Sequence, residues 1–370
     1  MKNLSLDSEI FTRSVEEIIV REHLEKVLQS GKKLRVKFGI DPTSPDLHLG
    51  HTVPLRKLRS FQQAGHTVVF IIGDFTATVG DPSGRSEARL PLVKKEIRYN
   101  MKHYLAQVEK ILDIKKTEVR YNSEWYKKAG VAFLYELMSK ITVQRVMERD
   151  DFKKRLRQEQ DINMLEFIYP ILQGYDSVAV RADLEIGGSD QKFNLLMGRK
   201  IQRRFGQPEQ DILTTWLIEG TDGVRKMSKS IGNYIGVTES PDSMFGKIMT
   251  VPDGLIVKYF LALTDVPRGE VDIIKKDMQA GKLNPRDAKI SLGKYVVATH
   301  HNEKDAQGAS ERFLRVFSKG EDLKDMPLVK FEYGPADPVE LLLKAGFVAS
   351  KSVARRLVKE GAVDVDGRTI

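Results

Sequence analysis

Two short stretches hold residue types suited to phosphate chemistry. His48-Leu49-Gly50-His51 sets two imidazoles three residues apart, and Lys226-Met227-Ser228-Lys229-Ser230 does the same with two ammonium groups. At this spacing the histidines share one helix face. The segment before them, LRVKFGI at 34–40, reads as a strand that runs into the loop Asp41-Pro42-Thr43-Ser44-Pro45-Asp46. A helix starting after such a strand offers free N–H groups and a positive dipole end, where α/β folds bind phosphate. Gly50 removes a side chain where a flat nucleotide could approach. Taken alone, the histidines also fit two surface residues on a first turn, and the lysines an ordinary solvated charge run. A metal reading lacks a third ligand.

Such residues need elements to hold them. Residues 67–73, TVVFIIG, read as a buried strand, and a helix fills the interval from His48 to Gly65 with Leu55, Leu58 and Phe61 at helical spacing. Pro54 fits that helix only if it lies near the first turn. Strand, helix and strand make a βαβ unit and predict a parallel sheet. Helical patterns follow over 92–112, 131–147, 150–158 and 163–177. Residues 180–188 read as a strand entering a Gly-rich turn, 189–206 as a helix capped by Ser189, and 211–220 as a strand. The expected organisation is an α/β domain over 1–224 with a helical insertion and a lysine-bearing loop over 225–240. A helical domain over 241–320 is broken at Pro252, Pro267 and Pro285. A linker over 321–336 contains Pro327, Gly334 and Pro335, and a small unit over 337–370 combines helices with the start of a hairpin.

Composition narrows the class. The chain has 370 residues, of which 41% are hydrophobic and 30% charged, the balance of a folded soluble protein. It contains no cysteine, which excludes disulfides, thiolate metal sites and a cysteine nucleophile. No apolar run is long enough to span a membrane and the N-terminus has no apolar core of a secretory signal, so the expectation is a cytoplasmic protein. Sixty Lys and Arg against 51 Asp and Glu give a net charge of +9, which fits a polyanionic partner or a merely lysine-rich surface.

HLGH followed by KMSKS resembles the class I aminoacyl-tRNA synthetases. The stretches GDFTATVGDPSGR (73–85), YPILQGYD (169–176) and GGSDQ (187–191) resemble the bacterial tyrosyl-tRNA synthetases, in the branch that carries the KMSKS form. The resemblance runs in order over almost the whole chain. It implies a Rossmann-like parallel-sheet α/β catalytic domain, an α-helical domain and an S4-like α+β tail, AGFVASKSVARRLVKEGAVDVDG, cut short by the end of the chain. In that tail Ser350 caps a helix bearing Lys351, Arg355 and Arg356. The implied reaction joins L-tyrosine to ATP as tyrosyl-adenylate and then to tRNA(Tyr), with Mg²⁺ on the ATP phosphates and no dedicated protein site for it.

The resemblance also assigns residues. Thr43, His48, His51, Lys226 and Lys229 would stabilise the charge of the transferring phosphate. Asp41, Thr76, Asp81, Tyr169, Gln173, Asp176 and Gln191 would hold tyrosine, with Tyr169, Asp81 and Gln173 at its ammonium and Asp176 at its phenol. Gly39, Gly50, Gly188, Asp190 and Met227 would join the histidines and lysines around ATP, Asp190 reaching the ribose. From the glycine-rich turn 80–85 only Asp81 is retained. One departure stands out: where many members have a pocket tyrosine, two residues before Gly39, this chain has Lys37. Homodimerisation through helices after residue 131 is implied too. Arg199, Lys200, Arg203 and Arg204, and Lys153, Lys154, Arg155 and Arg157, are basic groups that suit RNA or a solvated helix face. The rivals are a tryptophanyl-tRNA synthetase, a small-molecule nucleotidyltransferase with a similar histidine site, and a non-catalytic RNA-binding protein on a synthetase scaffold. The Tyr169, Gln173 and Asp176 set favours a phenol over an indole, the helical domain and tail disfavour the second rival, and intact HLGH and KMSKS disfavour the third.

Overall fold

The sheet is built from β1 (Val15–Ile19), β2 (Arg35–Ile40), β3 (Thr67–Ile72), β4 (Thr117–Tyr121), β5 (Leu184–Gly188) and β6 (Asp211–Thr215), in the spatial order β1-β6-β5-β2-β3-β4. All neighbours run parallel except β1, which lies antiparallel to β6 at one edge. The computed structural model describes residues 6–83, 92–319, 337–348, 350–359, 363–365 and 368–369. They fall into two compact units, Met1–Leu314 and Arg315–Ile370.

The sequence explains the centre of this sheet. TVVFII in β3 is apolar on both faces, as a strand covered by helices on both sides must be. The Leu49–Gln63 helix crosses from β2 to β3 and buries Val53, Leu55, Leu58 and Phe61. Strand order reverses between β2 and β5, so the crevice at their carboxyl ends, beside Gly39, Gly187 and Gly188, is where an open α/β sheet binds a ligand.

Several elements differ from the sequence reading. Strands β1 and β4 went unforeseen because VEEII and TEVRY carry charges on what looked like loop; in β4, Glu118 pairs with Arg35 at 2.8 Å and with Arg120 at 3.1 Å. The 163–177 helix extends over Met164–Val180, which delays β5 to Leu184. The pattern over 92–112 breaks into Lys94–Met101 and Tyr104–Glu109, and that over 131–147 into Val131–Ser139 and Val143–Val146. Ser189 is no helix cap: Ser189–Gln191 form a 3-10 turn and the helix begins at Lys192. Pro54 sits at the sixth residue of its helix rather than in the first turn, and leaves the Gly50 carbonyl without its usual helical donor.

Behind the sheet, Pro241–Thr250, Ile256–Leu263, Arg268–Gln279, Pro285–His300 and Glu303–Lys319 continue the chain as helices, and Pro285 is the first residue of its helix. Arg13 ties the N-terminal segment to this layer. Its guanidinium donates to the carbonyls of Phe260, Leu261, Thr264 and Val266 at 2.6–3.0 Å, satisfying the exposed C-terminal end of the Ile256–Leu263 helix. In the second unit, Asp337 caps Pro338–Lys344, and Ser350 accepts from the Val353 amide at 3.4 Å ahead of the Lys351–Lys359 helix. Asp364–Val365 and Arg368–Thr369 pair antiparallel. The linker expected over 321–336, and Gly84 and Arg85 of the turn 80–85, lie outside the described residues.

Replacing Arg13 by methionine keeps the aliphatic stem and takes the donor from the Thr264 and Val266 carbonyls, while Leu261 O keeps Ser14 Oγ and Phe260 O keeps Thr264. Charge-assisted hydrogen bonds of this kind are worth ~1.5–3 kcal/mol each in net terms, and they are not additive. We expect a loss of about 3 kcal/mol, measured as a lowered urea midpoint at unchanged m-value.

Candidate active site

A cavity of about 290 Å³ opens at the carboxyl ends of β2 and β5. Asp41, Thr76, Asp81, Tyr169, Gln173, Asp176 and Gln191 line it, as do Gly39, Thr43, His48, Gly50, His51, Gly188, Asp190, Lys226 and Met227. Lys229 stands outside this lining. Its ammonium donates to Ser44 Oγ at 3.0 Å and to the Asp46 carbonyl, and lies 5.7 Å above the Tyr234 ring.

One end of the cavity is a deep polar slot. Asp41 accepts from Thr76 Oγ1 at 2.7 Å and from the Tyr169 hydroxyl at 3.0 Å. Gly73 makes this contact possible, because a Cβ there would stand 2.0 Å from Asp41 Oδ1. Asp81 accepts from the Ser83 amide and from Gln191 Nε2, both at 2.9 Å. The buried side-chain oxygen of Gln173 has no hydrogen-bond partner among the described residues and suits an ammonium donor. At the floor lies Asp176, which is 4% exposed and accepts from Trp125 Nε1 at 2.9 Å and from Asn122 Nδ2 at 3.3 Å. Burial pushes its carboxyl up to about 6, against the opposing pull of Lys37, Trp125 and Asn122. Lys37 does not occupy the slot as a phenol contact. Its ammonium meets Glu185 Oε1 at 2.7 Å, Ser177 Oγ at 2.8 Å and the Gln173 carbonyl at 3.2 Å.

The other end carries the imidazoles. The His48 and His51 rings lie 3.8 Å apart, and His51 Nδ1 accepts from the His48 amide at 3.2 Å. That bond leaves the His51 proton on Nε2, free to donate. Burial first, then the neighbouring His51 and the two lysines, pushes His48 down to about 2; burial and Lys229 push His51 down to about 4. Both rings are therefore neutral near pH 7. A Cβ at position 50 would lie 2.9 Å from Cε1 of the His48 ring, so glycine there makes room for that ring beside the cavity.

The lysine loop is folded onto this end. The Leu49 amide donates to Ile235 O at 2.9 Å and the Val237 amide to Leu47 O at 3.0 Å. Asn233, buried inside the loop, accepts from the Ser228 amide at 2.8 Å and donates to the Lys226 carbonyl at 3.2 Å. Lys226 pairs with Asp190 at 2.9 Å, so a cation suited to phosphate and a carboxylate suited to a ribose neutralise each other here.

The basic groups turn out unequal. Arg155 is buried in a bidentate pair with Glu166, at 3.0 and 3.1 Å, and so belongs to the core rather than to an RNA-facing surface. Arg199 and Arg203 both engage Glu209. Glu185, Asn122 and Trp125 were not foreseen from the sequence. For Glu185 a signal existed: it interrupts an apolar central strand, as Lys37 does in the neighbouring one, and opposite charges in two buried strands call for each other.

The comparisons with known proteins agree with this geometry. The family model described as tRNA synthetases class I (W and Y) matches residues 29–318. A tyrosine–tRNA ligase of Thermotoga maritima is 49% identical over 98% of this chain and 90% of its own length, and one of Colwellia psychrerythraea is 50% identical over 97% and 90%. The fold is shared with a C-terminally truncated mitochondrial tyrosyl-tRNA synthetase of Aspergillus nidulans, with a TM-score of 0.69 and 23% identity over 84% of this chain and 94% of that one. It is shared also with the Archaeoglobus fulgidus tyrosyl-tRNA synthetase complexed with L-tyrosine, with a TM-score of 0.66 and 23% identity over 82% and 98%. With the histidine and lysine motifs closed over one crevice and that family matched across most of the chain, the protein belongs to the class I tRNA synthetases of the tryptophan and tyrosine branch.

Proposed function

We propose that this chain is a tyrosine–tRNA ligase, which activates L-tyrosine with ATP and transfers it to tRNA(Tyr). The observation that carries the reading is the buried carboxylate at the floor of the slot: Asp176 accepts one hydrogen bond on each oxygen and has capacity for more. A phenol supplies the missing donor, while the unpartnered Gln173 oxygen and Asp81 suit the substrate ammonium.

In activation, a tyrosine carboxylate oxygen bonds to the ATP α-phosphorus while the bond to the β-phosphate bridge breaks and pyrophosphate leaves. The carboxylate is already ionised at neutral pH, so no general base is required. In transfer, a ribose hydroxyl at the tRNA 3′ end bonds to the tyrosyl carbonyl and AMP leaves. Catalysis then rests on positioning and on donors aimed at the phosphate charge. Neutral His51, with its proton on Nε2, donates without the desolvation cost of a cation. Lys226 exchanges Asp190 for phosphate, which frees Asp190 for the ribose diol. Thr43 and Lys229 hold the loop side of the same phosphates. Mg²⁺, carried in on the nucleotide, would neutralise phosphate charge.

We assign catalysis to 1–224, the mobile lysine contacts to 225–240, and tRNA contacts to 241–320 and 337–370, with 321–336 between them. An exposed apolar stripe of Val131, Leu134, Tyr135 and Met138, at helical spacing, supports a homodimer. No helix among the described residues is long and apolar enough to cross a membrane, and we place the reaction in the cytoplasm.

The reading is tested by ATP–pyrophosphate exchange with each of the twenty amino acids. Tyrosine alone is expected to support rapid exchange; exchange driven by tryptophan, or by none, would contradict it. Lys226→Ala is expected to slow single-turnover adenylate formation by the equivalent of ~2–4 kcal/mol while tyrosine affinity stays unchanged, since the lysine meets charge that develops on the leaving group. The acid limb of kcat/KM for tyrosine should follow Asp176, falling about tenfold per pH unit below about 6 as the carboxylate is protonated, and the histidines should add no limb there. Deleting 337–370 is expected to leave exchange intact and to lower tRNA charging, most at low salt and less as salt rises, because the phosphate contacts it removes weaken with salt in the intact chain.

A further inference from the structure

Lys37 and Glu185 are register partners on the adjacent parallel strands β2 and β5, and both are buried, at 0% and 2% exposure. A buried ion pair is poor evidence of stability, because its desolvation cost rivals its attraction and well-packed apolar residues often do as well. Its position is more telling. An ammonium has three N–H donors. Those of Lys37 go to Glu185 Oε1, Ser177 Oγ and the Gln173 carbonyl, so none is left for a substrate. Gln173 and Ser177 lie one helical turn apart, and Asp176 projects from the same turn. Glu185 turns its other oxygen away, toward Ser177 Oγ at 3.2 Å and Gln210 Nε2.

We propose that Lys37 is a positioning and specificity-determining residue for the amino-acid substrate: it clamps the Gln173–Ser177 turn and, with Glu185 as counter-ion, supplies the field that keeps Asp176 anionic for the phenol. The proposal rests on the reading of Asp176 as the phenol's acceptor. The charged and titratable groups facing Asp176 are Lys37 from β2, Glu185 from β5, Tyr126 from the short Ser123–Tyr126 helix and Tyr169 from its own helix. Burial holds both tyrosines well above their usual range, so they stay neutral from acid to mildly basic pH. The ammonium and the Glu185 carboxylate thus remain as opposing influences on Asp176, and the ammonium is the larger.

Opposite signs give a test that a merely structural role would not pass. The chain contains two tryptophans, and the indole N–H of Trp125 donates to Asp176 at 2.9 Å. In full-length protein labelled with 5-fluorotryptophan, ¹⁹F NMR gives two signals, assigned with Trp216→Phe, and the Trp125 signal reports Asp176 ionisation without any need for activity. The wild-type midpoint is expected near about 6. Lys37→Met should raise it by ~1 unit and Glu185→Gln should lower it. The Lys37→Met/Glu185→Gln double variant, which leaves neither charge uncompensated, should show a smaller rise and serves if a single variant does not fold. In Lys37→Met, kcat/KM for tyrosine should fall about twofold more near pH 7 than at about pH 8.5: loss of the clamp costs the same at both pH values, and only loss of the field gives the difference. If the two single variants shift the midpoint in the same direction, or if neither the singles nor the double shifts it, the proposal is overturned. If the titration persists in Asp176→Asn, the assignment of Asp176 falls and the proposal with it. Exchange driven by a different amino acid would instead bring down the functional reading, while the ¹⁹F result stood apart.

Discussion

An ionised carboxylate without water is costly, and the slot is arranged around that cost. Asp176 is almost fully buried at the floor of the cavity, and Asn122, Trp125 and the Lys37 field oppose the protonation that burial favours. Burial favours its protonated form, and a solvated carboxylate would impose little penalty on phenylalanine. The arrangement lies between these limits, with a carboxyl that titrates near 6. Much of the surrounding structure follows. Two charged residues in central strands, a glycine at 73 that admits Asp41, and a helix long enough to bring Tyr169, Gln173 and Asp176 to one wall are all needed to place that carboxylate opposite the ammonium site.

The nucleotide end meets a different constraint. The bound nucleotide is already anionic, so a cation that meets ground state and transition state alike adds affinity and not rate. The histidines are neutral and Lys226 is engaged with Asp190; in the proposed reaction phosphate and ribose would separate that pair. The loop that carries the lysines is already seated on the histidine turn through backbone bonds at Leu49 and Val237. Exchange of partners, rather than a large loop movement, is then enough to bring Lys226 into play.

Residue types and spacing went far in this chain. The βαβ unit, the parallel sheet and the order of helices after residue 241 follow from periodicity and proline placement, and the residues of the cavity follow from motifs whose order resembles a known family. What stayed hidden was lateral. Strands β1 and β4 pair through their backbones at the two edges of the sheet, and their charged residues mask that in a one-dimensional pattern. Arg155 looked like part of a basic face, yet its partner Glu166 lies eleven positions on and inside the core. Trp125 and Asn122 reach Asp176 from an element more than fifty residues away in the chain. Ser189 had the right chemistry for a cap, but the turn into the Gly-rich loop needed those residues for a tighter 3-10 bend.

The central claim is that selectivity is a penalty on the wrong substrate: phenylalanine leaves Asp176 buried and unpaired, whereas tyrosine pairs it. The direct measurement is kcat/KM for tyrosine and for phenylalanine in ATP–pyrophosphate exchange, in wild type and in Asp176→Ala, with folding checked by circular dichroism. The account predicts a steep loss for tyrosine, little change for phenylalanine and a collapse of their ratio. A folded variant that keeps the wild-type ratio would contradict it and hand the phenol to another group.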